Sequence, residues 1–120
     1  MTNVEECVIA ALSEALDVPV SADVPGTLPE DRPEEFVTVE LIRSSDEHYG
    51  AIEHAQLAVQ TWAKTRLRAC ALGGSVKRAM YSRLRYPITS VRRTNHYNFP
   101  AEGSPRYQGV YEITAHSVID

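Results

Sequence analysis

Four runs of strand-type residues, grouped in two pairs on either side of one helical run, restrict this chain more than any other feature. Over 36–43, Phe36, Val37, Val39, Leu41 and Ile42 are strand formers, while Thr38 and Glu40 alternate outward. Over 55–63, Leu57, Val59 and Thr61 share one face, and Gln56, Ala58, Gln60 and Trp62 share the other. Residues 88–97 form a third run. In the fourth, 106–118, Tyr107, Tyr111, Ile113 and Ala115 alternate with Gln108, Glu112, Thr114 and His116. A period of two sends successive side chains to opposite sheet faces. Runs adjacent in sequence are expected to pair as antiparallel neighbours, 36–43 with 55–63 and 88–97 with 106–118.

Two helices complete the pattern. Residues 2–17 carry Val4, Cys7, Val8, Ala11, Leu12 and Ala15 at spacings of three and four, one apolar stripe on which Cys7 reads as a small hydrophobe. Thr2 with Glu5 fits a capping box, Glu5 and Glu6 suit the positive end of the helix dipole, and Asp17 and Pro19 mark the exit. Thr65 can cap a second helix reaching to about Arg85, with Pro87 beyond it. Its main stripe is Ala69, Leu72, Val76, Ala79 and Met80; Leu67, Cys70 and Tyr81 project from another side. Gly73 and Gly74 sit mid-helix, costing about 1 kcal/mol each against alanine. They are either a close-packing notch or a local break. The second apolar side is then covered by another subunit, or it reflects a helical phase that slips across the glycines.

Pro19 restricts 18–24 to a short edge strand. Three prolines and a glycine make 25–33 an ordered surface loop. Ser44 to Gly50 is polar and glycine-terminated, so 44–54 reads as a long loop, and 98–105 as another; Trp62 reads as an anchor at the core edge. The expected fold is a single α+β domain, 1–120, with a mainly antiparallel sheet of four to five strands and two helices packed on one face. The other face is left for solvent or a partner.

At 120 residues with 43% hydrophobic and 23% charged residues, the chain suits one core and is too apolar for disorder. No apolar stretch approaches a membrane span, the first residues hold acids where a signal peptide holds lysines, and two cysteines make no disulfide framework, so a reducing cytosol is the expected setting. The net charge of −4 hides a division. Residues 1–53 carry thirteen acids against Arg32 and Arg43, a balance of −11; residues 54–120 carry ten bases against three acids, a balance of +7. Such a division fits two halves that complement each other within one molecule, a basic patch for nucleic acid, or a head-to-tail contact between copies.

Little chemistry is on offer. There is no phosphate loop, dinucleotide fingerprint, His-Glu-x-x-His, paired Cys-x-x-Cys or Gly-x-Ser-x-Gly. His48 and His54 flank one loop, without a carboxylate or thiol at ligand spacing. Glu34 and Glu35 read as a solvated acidic edge. Arg66, Lys77, Arg78 and Arg85 on the outer side of the second helix, followed by Arg92 and Arg93, supply phosphate-binding charge, but no helix-turn-helix or stacking sheet accompanies them. No catalytic residue, metal or cofactor is expected.

The strings Leu57-Ala-Val-Gln-Thr-Trp-Ala63, Val91-Arg92-Arg93, Tyr97-Asn98-Phe99-Pro100 and Arg106-Tyr107-Gln108 resemble the tail terminator (tail-completion) proteins of long-tailed bacteriophages and prophages. Pro25-Gly26-Thr27-Leu28-Pro29 and Phe36-Val37-Thr38-Val39-Glu40 extend the resemblance over most of the chain; Ser44 to Glu53 and the tail after Ala115 match least. The resemblance implies a small α+β protein that assembles as a ring, in this family a hexamer, at the head-proximal end of the tail tube. The ring halts tube growth, offers a surface to head-completion (neck) proteins, and lets DNA pass without sequence preference. It implies no catalysis, cofactor or membrane. Joined to the charge division, it nominates Glu34, Glu35, Asp46 and Glu47 to face Arg78, Arg85 and Arg92 of a neighbouring copy. A head-tail connector (neck) protein and a small nucleic-acid binder are the alternatives, with a small hydrolase more remote.

Overall fold

The computed structural model describes residues 3–26, 28–100 and 104–116. Helix α1 (Val4–Ala15) begins at Asn3, whose side-chain oxygen accepts from the Glu6 N–H at 2.8 Å. Thr2 lies outside the described residues. With Asn3 as the cap, Glu5 is not at the capping-box position, and its carboxylate accepts the Leu41 N–H at 2.8 Å. Helix α1 buries Val4, Val8 and Leu12. After it come strand β1 (Val20–Ser21), one 3₁₀ turn (Pro29–Asp31), β2 (Phe36–Glu47), β3 (Ile52–Trp62), helix α2 (Arg66–Arg83), β4 (Ile88–Asn98) and β5 (Arg106–His116).

The strands form one sheet in the order β1-β2-β3-β5-β4. Both expected antiparallel pairs form, and β3 also pairs antiparallel with β5 along its whole length. The sheet is nonetheless mixed, because β1 runs parallel to β2. The run expected at 106–118 is strand through His116; residues 117 and 118 lie outside the described residues.

The expected 44–54 loop is corrected. Strand β2 runs on to Glu47 and β3 starts at Ile52, leaving His48–Ala51 as the turn of a long hairpin. The turn is closed by Gly50 N–H to Glu47 O and Ala51 N–H to His48 O, with His48, Tyr49 and Gly50 all at positive φ. Nothing buries residues 42–49, so the hydrophobic alternation that marks a half-buried strand is absent there and the segment reads as loop. A bulge between Leu41 and Arg43 also breaks the phase. Leu41 packs against the core and Ile42 is 46% exposed. Arg43 then opposes Gln56, on the face away from the helices.

Both helices pack on the other face. There Val8 and Leu12 meet Leu72, Val76 and Met80 above Val37, Val39, Leu57, Val59, Tyr111 and Ile113. Thr61, on the same face, donates its hydroxyl proton to the Ala69 carbonyl at 2.8 Å, tying β3 to the start of α2. Thr65 caps α2 as expected, its Oγ1 accepting from Arg68 N–H. The helix is continuous across Gly73 and Gly74, so of the two readings the notch holds, and only for Gly73. A methyl group added at Gly73 would lie 2.9 Å from His96 Cε1 and closer still to Nε2; at Gly74 the nearest atom is 3.9 Å away.

The two glycines therefore respond oppositely. Gly73→Ala lowers stability in urea unfolding by about 1 kcal/mol, overpacking exceeding the gain in helix propensity. Gly74→Ala raises it by about 0.5–1 kcal/mol. In a His96→Ala background the effect of Gly73→Ala changes sign.

Candidate functional site

The sheet face opposite the helices is covered at one end by its own side chains and open to solvent at the other. Cross-strand register sorts its side chains into rows. The first row follows Phe36, Trp62 and Arg106, register partners on β2, β3 and β5, with Phe99 next to Arg106. Phe36 and Trp62 stack at 5.1 Å. The Arg106 guanidinium lies 4.7 Å from the Trp62 ring centre and 4.3 Å from that of Phe99. Its Nε donates to Phe99 O at 2.8 Å. Burial pulls the Arg106 guanidinium below its ordinary range, opposed by Tyr97 and Glu40. Trp62 is thus an anchor, as expected, but on the face away from the main core.

The second row is polar: Thr38, Gln60, Gln108 and Tyr97. Trp62 Nε1–H donates to Thr38 Oγ1, Thr38 donates to Gln60 Oε1, Gln60 Nε2 donates to Gln108 Oε1, and Gln108 Nε2 donates to Tyr97 Oη. Thr38 and Gln108 are buried, so a complete chain of partners is what makes this row tolerable. Further out, Arg92 pairs with Glu112 at 3.1 Å. Beyond them a shallow concavity of about 480 Å³ is lined by Arg43, His54, Gln56, Glu112 and Thr114 among others. In it Thr114 Oγ1 lies 3.3 Å from His54 Nδ1, and His54 Nε2 lies 3.3 Å from Glu47 Oε1 without hydrogen-bond alignment. Hydroxyl, imidazole and carboxylate in that order are the parts of an activated nucleophile. The imidazole–carboxylate hydrogen bond that would orient the base is not made, and the Glu47 side chain is 59% exposed, so the three groups lack the fixed geometry of a working nucleophile.

The charged residues nominated from sequence divide into two groups. Glu34 pairs with Lys64 at 2.8 Å, and Glu35 takes a two-pronged contact from Arg68 at 2.9 and 3.0 Å. The Lys64 ammonium holds the Glu34 carboxyl below its usual range, and Glu35 raises Arg68. These contacts join the acidic first half to the basic second half inside one molecule. Glu47 meets His54 and Arg92 meets Glu112, also within the chain. Among the described residues Asp46, Arg78 and Arg85 make no ion pair; Arg78 Nη2 donates to Ser75 Oγ, and Arg85 Nη1 to the Ser82 carbonyl. The seven do not form one cluster. Asp46 and Glu47 end the β2–β3 hairpin, Glu34 and Glu35 precede β2, Arg78 is on α2, Arg85 follows it, and Arg92 is on β4. Leu67 and Tyr81 are 74% and 49% exposed, and Tyr49 at the hairpin turn is fully exposed.

The stacked row and the hydrogen-bonded row escape sequence reasoning. Their residue types are ordinary, and the signal is their register, which needs the pairing of β3 with β5. No family model matches this chain, and no curated protein matches it.

His96, on β4, sets its ring against Gly73 of α2 and tilted against Tyr107, its buried Nε2 without a partner among the described residues. Burial, Arg93 and Lys77 all push its pKa below the ordinary value. As pH falls, the unfolded chain takes up this proton first, at about 6.5. The stabilising effect of a neutral His96 is therefore complete above that value and is lost as pH falls toward the lower folded pKa. The prediction is that His96→Gln flattens the decline of unfolding free energy between about pH 7 and pH 5, read by urea titration, relative to the parent chain.

Proposed function

We propose that this chain is a tail-completion protein of a long-tailed phage or prophage. It forms a ring, a hexamer by the resemblance, on the head-proximal end of the tail tube, stops tube polymerisation and presents the surface on which the neck assembles. The observation that carries this reading is the long β2–β3 hairpin. Its residues 42–49 are exposed, on a molecule 45 Å long; it ends in Asp46, Glu47 and an exposed Tyr49, and most of the chain's exposed bases stand on α2 and after it. Acidic and basic surfaces at separate places on one chain suit a head-to-tail contact between identical copies, and such contacts close into a ring when the rotation from copy to copy completes a full turn.

Capping follows from geometry. One ring face reproduces the contacts of the tube, the other does not repeat them, and growth ends there. DNA passes the lumen by contacts with phosphate that carry no sequence information. A neck protein of the same virus would share the ring but engage the portal side instead, and the same experiment separates the two.

Purified protein added to its cognate tail-tube protein during polymerisation tests the reading. The expected result is shorter tubes carrying this protein at one end only, by electron microscopy with a labelled chain. Unchanged tube lengths with no end-bound label would remove it.

A further inference from the structure

The sheet has two free edges, and they match. On β2, the Val37 N–H bonds to Pro19 O at 2.9 Å and the Leu41 N–H to the Glu5 carboxylate, so alternate residues up to Leu41 turn their backbone groups away from β3. The bulge at Ile42 shifts that alternation, so beyond it Ser44 and Asp46 face outward. Among the described residues nothing pairs with them. At the other end of the sheet, β4 has β5 on one side only. Its outward groups belong to Val91, Arg93, His96 and Asn98. The Arg93 N–H is taken by Tyr81 Oη at 2.7 Å; the others have no such partner among the described residues.

Unpaired edge groups are a template for another strand. We propose that copies of this chain join by strand addition, the outer half of β2 in one copy pairing with the first half of β4 in the next. The inference rests on the assembly reading above and names the contact it uses. Three features of the sheet favour a second copy as the occupant. Strand β4 runs antiparallel to β2, so repeating the sheet in the same sense makes the junction antiparallel. The register Arg43–Gln56–Glu112–Arg92 puts the two edges at the same level along the strands, so a level junction sets Ser44 beside Val91. That junction brings acidic Asp46 and Glu47 toward Arg85, just before β4, which has no ion-pair partner among the described residues.

Sedimentation velocity at low salt, up to millimolar protein, tests the junction with variants that separate backbone from side chain. Ser44→Pro removes one outward N–H while leaving the β2–β3 ladder intact, and Ser44→Ala keeps that N–H. The parent and Ser44→Ala are expected to self-associate alike, and Ser44→Pro about tenfold more weakly, with an unchanged circular dichroism spectrum. Asp46→Arg and Arg85→Asp should each weaken association, and mixing the two should restore it. A parent chain monomeric throughout, a Ser44→Pro chain that associates like the parent, or a mixture no stronger than its components would overturn the proposal. Tube capping that survives Ser44→Pro would sink the junction alone. Edge-dependent association without capping would sink only the tail reading.

Discussion

Strand β3 is hydrogen-bonded on both sides from Ile52 to Trp62, and its register decides where the rest of the molecule stands. One of its faces, Leu57, Val59 and Thr61, receives the helices. The other carries Trp62 and Gln60, which begin the stacked row and the polar row. Because the side-chain period is two, a slip of one residue would exchange these faces, burying Gln60 under α2 and exposing Leu57. The polar row therefore acts as a check on register as well as a set of hydrogen bonds. Its chain from Trp62 through Thr38, Gln60 and Gln108 to Tyr97 closes only in the observed alignment.

The same ladder explains how interior order becomes exposed geometry. Strand β2 is protected along its first half by β1 and by the Glu5 carboxylate, which cap Val37 and Leu41. The bulge at Ile42 then turns the chain, and the hairpin leaves the cover of the helices. On the opposite edge, Tyr81 reaches from α2 to take one N–H of β4. Part of the charge division is spent inside the molecule, through Glu34–Lys64 and Glu35–Arg68, while Arg92–Glu112 pairs within the second half. These exposed pairs contribute little individually. Asp46 and Arg85, without partners among the described residues, stand near the two free edges.

Much of the fold was legible because burial leaves a pattern. Both helices, the cap at Thr65 and the two antiparallel pairs follow from apolar periodicity. Legibility failed where burial ends. Residues 44–47 are strand by virtue of their neighbours, and an exposed strand need not alternate. Asn3 rather than Thr2 caps α1, and Glu5 serves a strand 36 residues away, a partnership that local spacing cannot reveal. The parallel placement of β1 and the insertion of β5 between β3 and β4 are long-range choices, made by packing. The charged residues were legible as a division but not as partners, since four of the seven nominated found an ionisable partner within their own chain.

The proposed junction makes the free backbone edges of β2 and β4 the working surface of this protein. Amide hydrogen exchange, followed residue by residue in dilute and in concentrated protein, addresses it most directly. With that junction, the amides of Ser44, Asp46 and Val91 slow on concentration while those of His96 and Asn98, beyond it, stay fast. Exchange at Ser44, Asp46 and Val91 that ignores concentration, or new protection confined to the outer surface of α2, would contradict it.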